Sequence, residues 1–171
     1  MINSAKKWVG YLEHKSDELL GVYTANIGKG GCTIFSEIVR THYRWRNFSG
    51  MPWCVVFVHA VCIEAYGVEK ARQLLGKPHP GSRVLARRMK RKGCMMDADY
   101  IPSPNDIVFL HNGDGEISHV GIVESVVGGT IVTIEGNTID PYGNFPENRG
   151  GAVARRTRNL TDDAIVSYAK L

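Results

Sequence analysis

The periodicity of apolar residues changes at Gly93, and that change limits the folds open to the chain. Before it, residues 4–20, 33–44, 53–66 and 82–92 carry apolar positions at helical spacing or, for 53–66, an almost unbroken apolar run. Trp8, Leu12, Leu19 and Leu20 mark the first, and Ile34, Phe35, Ile38 and Val39 the second. Gly67 is placed to end the third. After Gly93 the runs are short and rich in β-branched residues: Ile107-Val-Phe-Leu, His119-Val-Gly-Ile-Val-Glu, Thr130-Ile-Val-Thr-Ile-Glu, Ala152-Val-Ala-Arg and Ile165-Val-Ser-Tyr. Helices first and strands later predict an α+β fold, with N-terminal helices packed on an antiparallel sheet. Stretches 26–31, 47–52 and 143–151 read as loops. A length of 171 residues suits one domain, read as an N-terminal helical part over 1–50 and a core over 51–171.

Composition excludes several classes. No apolar run approaches the roughly 20 residues needed to cross a bilayer. The start, Met1-Ile-Asn-Ser-Ala-Lys-Lys-Trp, has no apolar stretch after its lysines, so no signal peptide is expected. The cysteines at 32, 54, 62 and 94 form no C-x-x-C pair and are too few for a disulfide scaffold. Cys32, Cys62 and Cys94 read as small buried hydrophobes. Residues 70–93 hold nine basic side chains and no acid, although the whole chain carries only +4. That run is either a solvated face or a surface that attracts polyanions. It lacks the aromatic interleaving of a nucleic-acid binder, and no nucleic-acid partner is expected.

Cys54 differs from the other cysteines because it follows Pro52 at the start of an apolar helix. A helix N-terminus favours a thiolate, the nucleophilic form of cysteine, and offers free N–H groups to an oxyanion. Such a nucleophile needs a base from elsewhere in the chain. His119 begins one strand; Glu135 and Asn137 end the next. A hairpin closed by a three-residue loop, Val127-Gly128-Gly129, would set His119 opposite Asn137. The neighbouring allowed register would set it opposite Glu135. Either way the three polar residues share a face, where a carboxylate or amide can orient the imidazole.

Met51-Pro-Trp-Cys-Val-Val-Phe-Val, Pro104-Asn-Asp-Ile-Val-Phe, Ser118-His-Val-Gly-Ile-Val and Glu135-Gly-Asn-Thr occur in that order over residues 51–138. Together they resemble the CHAP family, the cysteine, histidine-dependent amidohydrolases/peptidases of the papain-like NlpC-type superfamily. The resemblance implies a papain-like fold, Cys54 as nucleophile, His119 as base, and Glu135 and Asn137 as its polar partners. It also implies peptidoglycan as substrate, cut by an N-acetylmuramoyl-L-alanine amidase or a peptide endopeptidase, as in endolysins. Such an enzyme would act at the bacterial cell wall, reached by lysis, a phage tail or a non-classical route. Asn105 stands where the family usually has glycine, a turn position that Asn also suits. Some phage members carry an Asp-rich calcium loop near the cysteine. Here residues 24–50 hold only Glu37 as an acid, so no metal and no cofactor are expected.

The remaining expectations are secondary. The protein is expected to act as a monomer, and residues 70–93 to meet anionic wall polymers. His14, His42, His59, His79 and His111 have no motif partners and read as structural or surface residues. Trp53 either lines a cleft or packs in the core. Two other classes fit the same motifs: a non-catalytic wall-binding or virion module, and a papain-like amidase acting on a non-wall amide.

Overall fold

The computed structural model describes residues 1–23, 25–44, 47–145 and 150–171; part of the 143–151 loop therefore lies outside the described residues. Five helices precede six strands: α1 (Ile2–Lys7), α2 (Ile34–His42), α3 (Cys54–Tyr66), α4 (Val68–Leu75), α5 (Ser82–Arg91), β1 (Met95–Met96), β2 (Ile107–His111), β3 (Ile117–Val127), β4 (Thr130–Ile139), β5 (Gly151–Asn159) and β6 (Ile165–Ala169). The strands form one antiparallel sheet in the order β1-β6-β2-β3-β4-β5. This is the α+β architecture expected from the change at Gly93.

Helix α3 is the centre of the packing. Every residue from Cys54 to Ile63 is buried, as expected of a helix that is apolar on all sides. Its β4 neighbour is Gly136, where an added Cβ would lie 2.6 Å from Phe57 Cβ. Only a residue without a side chain lets helix and strand approach so closely. The main core joins α3 to Ile107, Phe109, Val120, Ile122 and Ile134 of the sheet. It also takes in Met1, Ala5, Tyr11, Phe35, Val39 and Phe48, so the first fifty residues share that core.

The helix expected over 4–20 is confined to Ile2–Lys7. Gly10 turns the chain with φ +93°, and residues 10–13 then run beside β5. Gly10 N donates to Val153 O (2.9 Å), Val153 N to Tyr11 O (2.9 Å) and Glu13 N to Gly151 O (2.7 Å). Pairing with an open sheet edge outweighs local helical spacing, because the edge offers partners that an isolated short helix lacks. Trp8 and Tyr11 instead join an aromatic cluster: Trp8 stacks on Tyr23 (5.6 Å between centroids), and Trp8 and Tyr11 each contact Phe35.

Glu13 ties this segment to α3. It is buried, and its Oε2 accepts a hydrogen bond from Trp53 Nε1 (2.7 Å). Its Oε1 accepts from Gly30 N (3.0 Å) and Gly31 N (2.8 Å). Trp53 is fully buried and caps α3 immediately before Cys54, which settles its role as packing. Tyr11 OH accepts from Ile34 N at the start of α2, and Thr33 Oγ1 from Ser36 N.

The β3–β4 hairpin differs from the expected three-residue loop. Val127 pairs with Thr130, leaving a two-residue turn of Gly128 (φ +55°) and Gly129 (φ +77°). Two positive φ angles are what a tight type I′ turn requires, and consecutive glycines supply them without strain. Continued unbroken, that register would set His119 opposite Thr138, with Glu135 and Asn137 on the other face. A bulge at Glu124 intervenes: Ser125 pairs with Val132 but Val123 with Thr133. The one-residue shift returns His119 and Glu135 to a common face. The Glu124 carboxylate meets Arg155 Nε at 2.7 Å and Lys6 Nζ at 3.3 Å, which links the bulge to β5 and α1.

The basic segment is partly used within the fold. Lys92 Nζ donates to Gln73 O and Leu74 O (2.9 Å to the latter), and Arg88 Nη1 to Lys77 O, so both cations sit on carbonyls at or just beyond the end of α4. Cys32 and Cys62 are buried and Cys94 is only half-buried; all four cysteines are free. His14 and His59 are buried, as structural residues are.

Replacing Glu13 by alanine leaves Trp53 Nε1, Gly30 N and Gly31 N without their acceptor. The expected cost is about 3 kcal/mol of stability, since each buried donor left unmade costs roughly 1–3 kcal/mol. Urea denaturation of Glu13→Ala checks this; a loss below about 1 kcal/mol would contradict the anchoring role.

Candidate functional site

Cys54 is the first residue of α3 and is 4% exposed. N–H groups in a helix's first turn have no intrahelical acceptor, so they remain available to a ligand. Cys54 acts on His119, near the start of β3, and its influence is one of those that raise the pKa of the ring. His119 Nε2 in turn lies 3.0 Å from Glu135 Oε2. The structure thus brings three of the four expected residues into one chain of contacts.

Glu135 is buried, and an ionised carboxylate there needs compensation. Besides His119, its oxygens accept from Thr133 Oγ1 (2.6 Å) and from both terminal nitrogens of Arg158, Nη1 to Oε1 and Nη2 to Oε2 (3.3 Å for the second). This two-point grip suits a planar guanidinium. Burial would raise the Glu135 pKa, but His119 and Arg158 outweigh it and hold the group well below the usual carboxylate range. For His119, burial would lower the pKa. The hydrogen bonds and charges of Cys54 and Glu135 outweigh it and raise the ring to about 10.

These directions fix how the pair responds to pH. The His119 contribution to stability is fully present below the ring's ordinary value of 6.5 and is lost as pH rises through about 10. The Glu135 contribution is present above the ordinary 4.5 and is lost as pH falls toward the depressed value. Between those limits the imidazolium–carboxylate pair is intact.

Gly121 makes room for this contact. A Cβ there would sit 2.8 Å from Glu135 Cγ, and 3.3 Å from Thr133 Cβ and Val108 Cγ1. The Glu135 side chain therefore lies over the bare backbone of Gly121 on its way to His119.

Asn137 is placed differently. It has φ +58° and occupies an irregularity in the β4–β5 ladder, between Glu135↔Ala154 and Thr138↔Ala152. Its Oδ1 accepts from Gly151 N (3.2 Å), so this amide braces the end of β5 and has no hydrogen bond to His119. It does line, with His119, Glu135, Arg156 and Arg158, a cavity of about 510 Å³.

Arg158 and Thr133 were not picked out from the sequence. Both sit on the face of Glu135, since Thr133 precedes it by two residues and Arg158 pairs with Ile131. Alternation alone could have nominated them, but the β4–β5 register was needed first. Asp106 belongs to a motif block yet serves the fold. Its Oδ2 accepts from Ser103 N (2.8 Å) and Tyr100 OH (3.1 Å), and its Oδ1 from Leu171 N (3.2 Å). Asn105 has φ +83°, the left-handed conformation that glycine or asparagine tolerates best. Among the described residues, no group of three or more His, Cys, Asp or Glu side chains is arranged to hold a metal ion.

Gly121→Ala is expected to push Glu135 away from His119 and remove one of the two groups that raise its pKa. The His119 ring, followed by NMR across pH, should titrate lower than in the unsubstituted protein. An unchanged midpoint would show that Gly121 does not govern this contact.

Three comparisons place the chain among known proteins. No curated protein matches it. Among solved structures, the crystal structure of Ly7917 aligns over 98% of this chain with 13% identity and a TM-score of 0.47. The chain spans 58% of that protein's length. The model of the CHAP domain matches residues 46–137, more than half of the sequence, from just before α3 to Asn137. With Cys54, His119 and Glu135 inside the matched span, the chain belongs to the CHAP family of amidohydrolases and peptidases.

Proposed function

We propose that the protein hydrolyses an amide bond of peptidoglycan, as an N-acetylmuramoyl-L-alanine amidase or a peptide endopeptidase, with Cys54 as nucleophile. The observation that carries this reading is the hydrogen-bonded chain His119–Glu135–Arg158, whose imidazole is acted on by Cys54 at the start of a buried helix. Glu135 occupies Nε2 of the ring, which leaves Nδ1 to serve the thiol. In this reading Cys54 reacts as a thiolate beside the already protonated His119, and Sγ attacks the carbonyl carbon of the amide. First-turn N–H groups of α3 stabilise the oxyanion. The C–N bond breaks as His119 protonates the departing amine, leaving a thioester on Cys54. A water molecule, deprotonated by the now neutral His119, attacks that thioester. The acid product departs and Cys54 is regenerated. Glu135, held by Arg158, orients the ring and balances its charge without reacting. Asn137 contributes by bracing the wall of the cavity beside His119.

Purified peptidoglycan, with mass spectrometry of the released fragments, tests both the activity and the bond cut. Cys54→Ala is expected to abolish release while leaving the fold intact, and His119→Ala to lower it by roughly 10²–10⁴-fold. Activity should persist into mildly alkaline solution and decline as pH rises through about 10, where the imidazolium that protonates the leaving amine is lost. It should also survive EDTA. Full activity in Cys54→Ala would falsify the mechanism.

The same reading gives the basic segment a role. Arg83, Arg87 and Lys90 are exposed at successive turns of α5 and line one groove. We assign this face to attraction of anionic wall polymers. Reversing Arg87, Lys90 and Arg91 to Glu should weaken binding to intact sacculi at low salt and matter little at 1 M, where the Debye length falls to about 3 Å. Equal sacculus binding at low salt would make the run a solvated face.

A further inference from the structure

The cavity beside His119 contains a cation that no other described residue engages. Arg156 and Arg158 both project from β5 onto the face of Glu135, since Arg156 pairs with Thr133 and Arg158 with Ile131. Their situations differ. Arg158 is committed to Glu135 through both terminal nitrogens. The half-buried Arg156 guanidinium has no hydrogen bond or ion pair with any described residue, yet it lines the same cavity. Glu135 is the one acid among the described lining residues, and its charge is already matched by Arg158 and His119. Among the described residues the lining is therefore net positive, and one of its guanidiniums has no partner there. A volume of about 510 Å³ falls within the range of ligand pockets.

A guanidinium presents a planar fork that matches a carboxylate in two-point contact. Here the fork lies in a cavity whose wall includes His119, the base of the proposed reaction; Cys54 acts on that ring but does not itself line the cavity. We propose that the cavity is a subsite for a carboxylate-bearing peptide branch of the substrate, and that Arg156 selects the free acid over its amide. This rests on the hydrolase reading above and adds a substrate class to it: stem peptides with an unamidated acidic residue.

The test separates binding from turnover. Full-length protein carrying Cys54→Ala is titrated calorimetrically with a γ-linked D-glutamyl stem peptide bearing a free α-carboxylate, and with its amidated counterpart. The acid is expected to bind at least about tenfold more tightly, the scale of one charged hydrogen-bonded contact. That preference should vanish when Arg156→Gln is added and be partly kept with Arg156→Lys. With Cys54 intact, Arg156→Gln should raise KM for the acid peptide and leave kcat for the amidated peptide unchanged, a split that general damage to the fold would not produce. Equal binding of the two peptides, a preference that survives Arg156→Gln, or a fall in kcat on the amidated peptide each overturns the subsite. Failure of the hydrolase reading looks different: the native protein would turn over neither peptide while the binding preference for the acid stands.

Discussion

A carboxylate with 1% of its side chain exposed cannot remain ionised inside a protein unless its charge is met, and the geometry around Glu135 follows from that constraint. Arg158 meets it from β5, Thr133 from its own strand and His119 from β3. Each partner depends on a different feature of the sheet: the β4–β5 register, the alternation within β4, and the bulge at Glu124. Gly121 supplies the space in which the side chain lies. The result is an imidazolium held by opposite charge and hydrogen bonds in a buried place, where burial alone would have discharged it.

The other half of the site is positioned by packing. Helix α3 is apolar around its whole circumference, so it must be covered on every side, and its N-terminus cannot swing relative to the sheet. Gly136 sets how close β4 approaches, while Glu13 holds Trp53, the residue before Cys54. The N-terminal segment is thus part of the support for the thiol. Its edge pairing with β5 carries Glu13 to that position.

The two basic features of the surface are unlike each other. On α5 the charge is dense, but Arg88 and Lys92 are spent on carbonyls at or just beyond the end of α4. Within the cavity one guanidinium, Arg156, has no partner among the described residues and lies beside a base. Density of charge along a sequence measures long-range attraction. Selection among ligands needs one unpaired group in an enclosed place.

The sequence by itself determined the class of the fold and the chemical types in the site. The shift from helical to strand spacing at Gly93 specified helices followed by an antiparallel sheet. Pro52 and the apolar run beyond it marked a helix start at Cys54, and the order of the four motif blocks specified the family. These signals are local, written in spacing and in turn chemistry, and so need no knowledge of distant partners. Tertiary structure decided the rest. Residues 4–20 have helical spacing, but residues 10–13 pair with the edge of β5, more than a hundred positions away, and Trp8 and Tyr11 pack on Tyr23 and Phe35. The loop assumed for the β3–β4 hairpin was one residue too long, and the Glu124 bulge restored the shared face of His119 and Glu135. A bulge is set by what the strand packs against, which a one-strand pattern does not contain. Arg158 and Arg156 look alike in sequence, two positions apart; which one neutralises Glu135 depends on the register of β5 against β4.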